Sequence, residues 1–195
     1  MATSTAVFSQ IDYIHIIENR IIPRMREIEL CGRVSEHMFN KNLDDGIKSF
    51  QLASLKLEEQ EFYTNVHSRQ ITDPILDSGI AMVRVMLQFL GVSVHFLGHF
   101  NPYKHSDGNI ILQSFGRENL VLTNSEHNYV FRILSADEIE AIRITGVNGN
   151  KGVAHLTIHE TKSIPLNTLA IACSAMIKLL NFWLIKRNRS TNPPS

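Results

Sequence analysis

The stretch Pro165–Ile185, PLNTLAIACSAMIKLLNFWLI, decides the fold class, because its apolar side chains recur at helical spacing. These side chains are Leu166, Leu169, Cys173, Met176, Leu180 and Trp183. Pro165 is well placed at the first turn of a helix. By length the stretch is also the one candidate for a membrane span, but Lys178 near the middle of a lone span costs about 2.5–3.5 kcal/mol on insertion. We therefore expect a buried or dimer-forming helix and no membrane partner.

A second long helix is expected between Thr72 and Gly91. Thr72 precedes Asp73 and Pro74, a typical helix start, and Gly91 is a typical helix end. Apolar residues occupy nearly all sides of this helix, which indicates a central position in a helical bundle. Arg84 is the exception, and a charge in such a setting needs a partner or a route to water.

The region 8–68 is predicted to form N-terminal helices. The first follows a capping-type Ser9 and carries apolar residues at Ile14, Ile17, Ile21, Met25 and Ile28. Pro23 predicts a kink or break, because its ring removes the amide that would bond the Asn19 carbonyl. A second helix is expected over residues 47–66, where apolar side chains also fit a helical spacing.

A capping box and several turn-forming residues predict the remaining elements. Ser135 with Glu138 predicts a helix from Ala136 to about Val147. Glycines, prolines and short apolar runs near 91–124 predict an irregular loop or a small hairpin. The fold class is therefore mainly α, a bundle of about five or six helices with this insertion.

Length and composition favour one domain over residues 1–195, with a disordered tail at 190–195. Lysine plus arginine and aspartate plus glutamate each number 19, which argues against a broad cationic surface for non-specific nucleic-acid binding. The segment Met1–Val7 lacks the pattern of a secretory signal, so a cytoplasmic location is expected.

The two cysteines, Cys31 and Cys173, lie far apart in the sequence and have no metal-ligand spacing. Both occur in helix-like apolar contexts, where a thiol behaves as a small buried hydrophobic group. A disulfide or a reactive thiol is the alternative.

The segment Asn150–Thr157, NKGVAHLT, holds the best candidate for chemistry. If it is helical, Lys151 and His155 lie at positions i and i+4 on one face, where a cation and an imidazole suit an anion or phosphate. An imidazole also titrates near neutrality and can transfer protons. The alternative is that His155 packs or caps a helix while Lys151 is a solvated charge.

This segment resembles the motif region of HEPN-domain proteins, and the surrounding helices over residues 72–189 resemble their helical core. In that motif an arginine, often followed by a polar residue, precedes a histidine by four to six positions. The resemblance implies a homodimer whose paired motifs form one metal-independent ribonuclease site, with His155 in proton transfer and Asn150 and Lys151 beside it. This sequence has Gly149 and Asn150 where the arginine is expected, and Lys151 offers only a point charge in place of a bidentate guanidinium.

Other sites are less well supported by the sequence. A loop contains His95, His99, His105 and Asp107, which are suitable zinc ligands but are more often surface residues. The aromatic side chains of the same loop, Phe96, Phe100 and Tyr103, offer a surface for a small molecule. No Gly-rich phosphate loop is present, and no metal or cofactor is predicted.

The sequence favours two functions over a third, a small-molecule binder that uses the loop aromatics. One is a HEPN-like protein that acts on RNA or a nucleotide-like ligand through His155, with Lys151 and Asn150. The other is a non-catalytic interaction or scaffold protein that forms a homodimer through its C-terminal helix.

Overall fold

The computed structural model describes residues 10–41, 52–57, 60–67, 69–103, 130–149 and 164–185. The helices are α1 (Gln10–Ile16), α2 (Ile22–Asn40), α3 (Arg69–Phe89), α4 (Ala136–Asn148) and α5 (Leu166–Ile185). The strands are β1 (Leu52–Leu57), β2 (Gln60–His67), β3 (Val92–Val94) and β4 (Phe100–Pro102), which pair as β1 with β2 and β3 with β4. The mainly α fold is confirmed. In these segments there are four separate helices rather than five or six, because a π-helical turn joins α1 to α2 and because residues 52–57 and 60–67 form strands.

The helix expected over residues 47–66 is wrong where the structure describes it. Residues 52–57 and 60–67 form an antiparallel hairpin, with Leu52 opposite His67 and Leu57 opposite Gln60. The apolar residues of this segment fit a period of 3.6 and a period of 2 about equally well. Aromatic and β-branched residues at 62–66 favour the strand, since they pack well on a pleated surface.

Pro23 widens the N-terminal helix and does not break it. The turn Ile17–Ile21 is π-helical, and the amide of Ile22 bonds the carbonyl of Ile17 five residues back. Pro23 has no amide to donate, so the ordinary i to i−4 ladder stops just before it. The helix therefore continues with one extra residue in this turn.

The extra residue rotates α1 relative to α2. Tyr13 and Ile16 are buried, whereas Ile14 is 48% exposed. Ile14 therefore belongs to the apolar pattern of the sequence but not to the core, because the π-helical turn changes the phase of α1. Ile21, the last residue of the turn, and Ile28 of α2 are both buried.

The core lies among the long helices. Helix α2 packs against both α3 and α5, and α4 packs against α5 and α3. Close approach is possible where glycine faces a neighbour: Gly79 of α3 faces Cys31, and Gly32 of α2 faces Cys173. The largest side chains with almost no exposure are Ile28, Met86, Leu87, Ile142, Leu169, Met176, Leu179 and Leu180. The helix predicted from Thr72 begins three residues earlier, at Arg69, so Pro74 lies inside it and not in its first turn. This helix contacts the other three long helices, as a central helix should.

The hairpin β3–β4 packs on α4. Val94 lies against Gly146, and Gly98 in the turn lies against Arg143, where an added Cβ would collide with the guanidinium. Gly98 also has a φ of 86°, a conformation that glycine adopts without steric cost. A small hairpin near residue 91 was one of the two forms predicted, and residues 104–124 of that insertion lie outside the described residues.

Candidate functional site

The predicted site residues Asn150, Lys151 and His155 lie outside the described residues, so their part in a site stays a prediction. The described chain ends next to them, at the buried residue Gly149. The position of Gly149 therefore shows where in the fold the predicted segment begins.

Gly149 packs on α3 beside Arg84. A Cβ built on Gly149 would lie 3.2 Å from Cγ2 of Ile80 and 3.9 Å from Cβ of Arg84. Arg84 is half-buried, and no hydrogen bond or ion pair joins it to another described residue. The chain thus leaves α4 next to an arginine that has no protein partner in the described part.

Arg143, the other arginine near this end of α4, is already engaged. Its Nε donates to Oε2 of Glu140 at 2.6 Å, and a second guanidinium nitrogen bonds Oε1. This hydrogen bond lowers the pKa of Glu140 and raises that of Arg143. Since Arg143 also covers Gly98, its observed contacts hold the hairpin turn to α4.

The histidines of the hairpin β3–β4 form hydrogen bonds within its turn. The His95 amide bonds the His99 carbonyl at 2.7 Å, and the Leu97 amide donates to Nδ1 of His95 at 3.3 Å. The exposed fractions of Phe96 and Leu97 at the tip are 56% and 63%. Among residues whose positions are described, no group of three potential metal ligands occurs. His105 and Asp107 of the predicted zinc alternative lie outside them.

The two cysteines meet in the core, which sequence spacing could not show. Both are free thiols and fully buried, as expected for small hydrophobic groups. The interaction between the two thiols lowers the pKa of Cys31, although burial opposes this, and raises the pKa of Cys173. The Cys31 thiol donates to the Leu76 carbonyl at 3.8 Å. The Ser35 hydroxyl donates to the Cys31 carbonyl at 2.8 Å. The pair therefore joins α2 to α5 as reduced thiols.

A surface cleft of about 590 Å³ lies between α2 and α5. Gly32 and Cys173 form part of its lining, and two exposed apolar side chains, Phe39 and Ile171, border it. The lining also includes Ala170 and Ile177 and the polar or charged residues Glu29, Arg33, Glu36, Asn40, Asn167 and Ser174. The cleft is therefore mixed in character, with carboxylates on the α2 side.

Helix α5 has a buried face and an exposed face. Leu180 and Trp183 are buried within the protein. The residues of α5 that are exposed are Asn167, Ile171, Ser174, Lys178 and Asn181. By length and composition, Leu166–Leu184 is the one helix in the described ranges that meets the criterion for a membrane span, and half of it is buried inside the protein. Core helices of soluble proteins meet the same criterion.

No protein-family model, curated protein or solved structure matches this chain.

Proposed function

We propose that this protein binds RNA or a nucleotide-like phosphate ligand through His155, Lys151 and Asn150, together with Arg84 of α3. The observation that carries the proposal is the packing of Gly149 beside Arg84. The linear motif lacks the arginine that the HEPN resemblance requires, and Arg84 supplies one close to the start of the motif segment. On this proposal the arginine is recruited from a neighbouring helix.

The chemistry of Arg84 favours an anionic ligand. A half-buried guanidinium that has no partner among the described residues has lost part of its hydration without regaining a charge-assisted hydrogen bond from them. Phosphate oxygens match its planar donors in a bidentate geometry. His155 would then transfer a proton at the bound phosphodiester, with no metal required, as in the HEPN scheme.

The test compares RNA binding and cleavage in EDTA for the wild type, Arg84→Gln, Arg84→Lys and His155→Ala. Fluorescence anisotropy of a labelled single-stranded RNA measures binding, and gel analysis measures cleavage. We expect Arg84→Gln to weaken binding on the order of tenfold or more, with Arg84→Lys in between. Arg20→Gln, which removes an exposed charge from the helix surface, is the matched control.

Each outcome separates the parts of this proposal. RNA bound without cleavage supports a binding protein and removes the ribonuclease activity. Equal binding by the wild type, Arg84→Gln and His155→Ala would show that the site is elsewhere. No binding of RNA or nucleotide by the wild type would remove the function as a whole.

A second candidate is a non-catalytic homodimeric scaffold. Three of the large apolar side chains that are exposed lie on α2 and α5, namely Leu30, Phe39 and Ile171. Phe39 and Ile171 border the same cleft, and exposed apolar groups of this size close together are typical of an interaction surface. Sedimentation velocity over a range of concentrations tests this candidate, and a monomer at all concentrations would rule it out.

A further inference from the structure

The outer face of α2 carries four charges in a definite order. Arg26, Glu29, Arg33 and Glu36 are all exposed, and their spacing of three, four and three residues places them on one stripe of the helix. No ion pair engages any of the four within the described parts of the chain. The stripe therefore presents alternating charge to whatever lies outside α2.

This charge order complements itself when the helix is turned end to end. Glu29 and Arg33 each lie two residues from Cys31, at about 3 Å of axial rise to either side. Arg26 and Glu36 each lie five residues from it, at about 7.5 Å. A twofold axis at the level of Cys31 therefore places each of these charges at the same axial height as an opposite charge of a second α2.

We propose that two copies of this chain associate through α2, antiparallel, about a twofold axis at the level of Cys31. Glu29 of each copy faces the other copy's Arg33, and Arg26 faces the other copy's Glu36. The inference rests on the homodimer given above as the second candidate function and names its interface.

The register is selected by charge and supported by an apolar contact. Parallel helices in register would set each charge against its like, and an antiparallel axis at Arg33 would oppose two guanidinium groups. At the proposed axis, Leu30, which is 47% exposed, lies one residue from the centre and meets its counterpart. Exposed ion pairs add little free energy, so they set the register while burial of Leu30 and its neighbours supplies the attraction.

The α2–α5 cleft borders this interface. Glu29, Arg33 and Glu36 belong to both the stripe and the lining of the cleft. The exposed Phe39 and Ile171 lie on the same flank. Helix α5 thus lies beside the interface and its exposed face extends the surface that the second copy meets.

The test uses sedimentation of the full chain with charge reversals on the stripe. Arg33→Glu places two pairs of carboxylates in contact, and Glu29→Arg places two pairs of guanidinium groups in contact. Each is expected to weaken dimerisation on the order of tenfold or more. The double variant Glu29→Arg with Arg33→Glu restores opposite charges and should recover the dimer. The control is Arg20→Glu, which adds the same charge change off the stripe.

A mixing experiment sharpens the test. When the Arg33→Glu chain and the Glu29→Arg chain are combined, every Glu29–Arg33 contact between the two different chains is complementary. Heterodimers should form at concentrations where each single variant is a monomer. Circular dichroism and Trp183 fluorescence check that the variants are folded.

The outcomes distinguish the interface from the dimer itself. A dimer that responds to neither reversal, or a double variant that stays monomeric, overturns the α2 interface and leaves the homodimer candidate standing. A wild type that is monomeric at all concentrations overturns both. Recovery in the double variant and in the mixture supports the proposed axis and register.

Discussion

Gly79 is the residue on which the α2–α3 contact most depends. A Cβ at this position would overlap Cβ and Sγ of Cys31. Alanine normally stabilises a helix relative to glycine by about 0.8–1 kcal/mol. Here we expect Gly79→Ala to lower the free energy of unfolding by about 1–3 kcal/mol, because the overlap requires the two helices to separate. Urea unfolding measures the change.

The control for Gly79→Ala is Cys31→Gly, which places the small residue on the other side of the same helix contact. Cys31→Gly removes the Cβ and thiol that obstruct the alanine, at the cost of its own packing. In a double-mutant cycle, Gly79→Ala should therefore be less damaging in the Cys31→Gly background. An alanine that stabilises the wild type would contradict the close contact.

The contact between Cys31 and Cys173 shows the limit of sequence analysis at this scale. Burial of each thiol follows from its apolar neighbours in the sequence and is confirmed. Their meeting depends on how α2 and α5 cross, which no local pattern encodes. The approach of Gly149 to Arg84 is non-local in the same way, so the candidate arginine could not be found from the linear motif.

The π-turn between α1 and α2 makes a prediction about neighbouring isoleucines. Ile16 is buried and Ile14 is 48% exposed, although an unbroken helix in phase with α2 would bury Ile14. Ile16→Ala should lower the free energy of unfolding by about 2–4 kcal/mol, and Ile14→Ala by less than about 1 kcal/mol. Urea denaturation measures the free energy of unfolding of both variants, which carry the same chemical change at positions two residues apart. The reverse order would mean that α1 continues without the wider turn.

The N-terminus of α4 predicts a pH dependence of stability. Burial raises the pKa of Glu138, but the Ser135 amide and Lys178 outweigh it, and the pKa lies below its ordinary value of 4.5. A carboxyl group whose pKa is lowered on folding stabilises the protein fully above pH 4.5. That stability is lost as the pH falls through the folded-state pKa. The Lys178 ammonium lies 3.0 Å from Oε2, which ties α4 to α5.

We therefore expect Glu138→Gln to flatten the acid side of the stability profile. Glutamine can keep the capping hydrogen bond to the Ser135 amide while losing the charge that attracts Lys178. The loss at pH 7 should be about 0.5 kcal/mol, because Lys178 is well exposed. Thermal unfolding between pH 3 and pH 7 measures this, with Glu18→Gln as the control. Profiles of equal slope for Glu138→Gln and the wild type would contradict the assignment.

Among the elements, those with local signals were predictable. The capping box at Ser135 and the helix after Pro165 involve residues within one or two turns of each other, and both are confirmed. The start predicted at Thr72 is wrong by three residues, because α3 begins at Arg69 and includes Pro74. The hairpin within 52–67 was missed because its apolar residues fit two periods, and long-range pairing decides between them. The charge stripe of α2 was present in the sequence, but its meaning depends on knowing that this face is exposed.

At the scale of the whole molecule, one continuous core should give one unfolding transition. Buried side chains from Tyr13 to Leu184 form a single cluster that includes residues of α2, α3, α4 and α5. Trp183, the one tryptophan, lies inside it and donates from Nε1 to the Val130 carbonyl at 3.2 Å. Loss of this environment requires α5 to leave its neighbours, so indole exposure and helix loss should occur together.

We expect urea unfolding followed by Trp183 fluorescence and by far-ultraviolet circular dichroism to give the same midpoint and slope. Leu180→Ala, which opens a cavity at a fully buried position, should lower both midpoints equally, through a loss of about 2–5 kcal/mol. Low protein concentration keeps any dimer from contributing to the transition. If the fluorescence midpoint fell alone in Leu180→Ala, α5 would unfold as a separate unit. The core would then be two units in contact, because two-state behaviour requires all probes to agree.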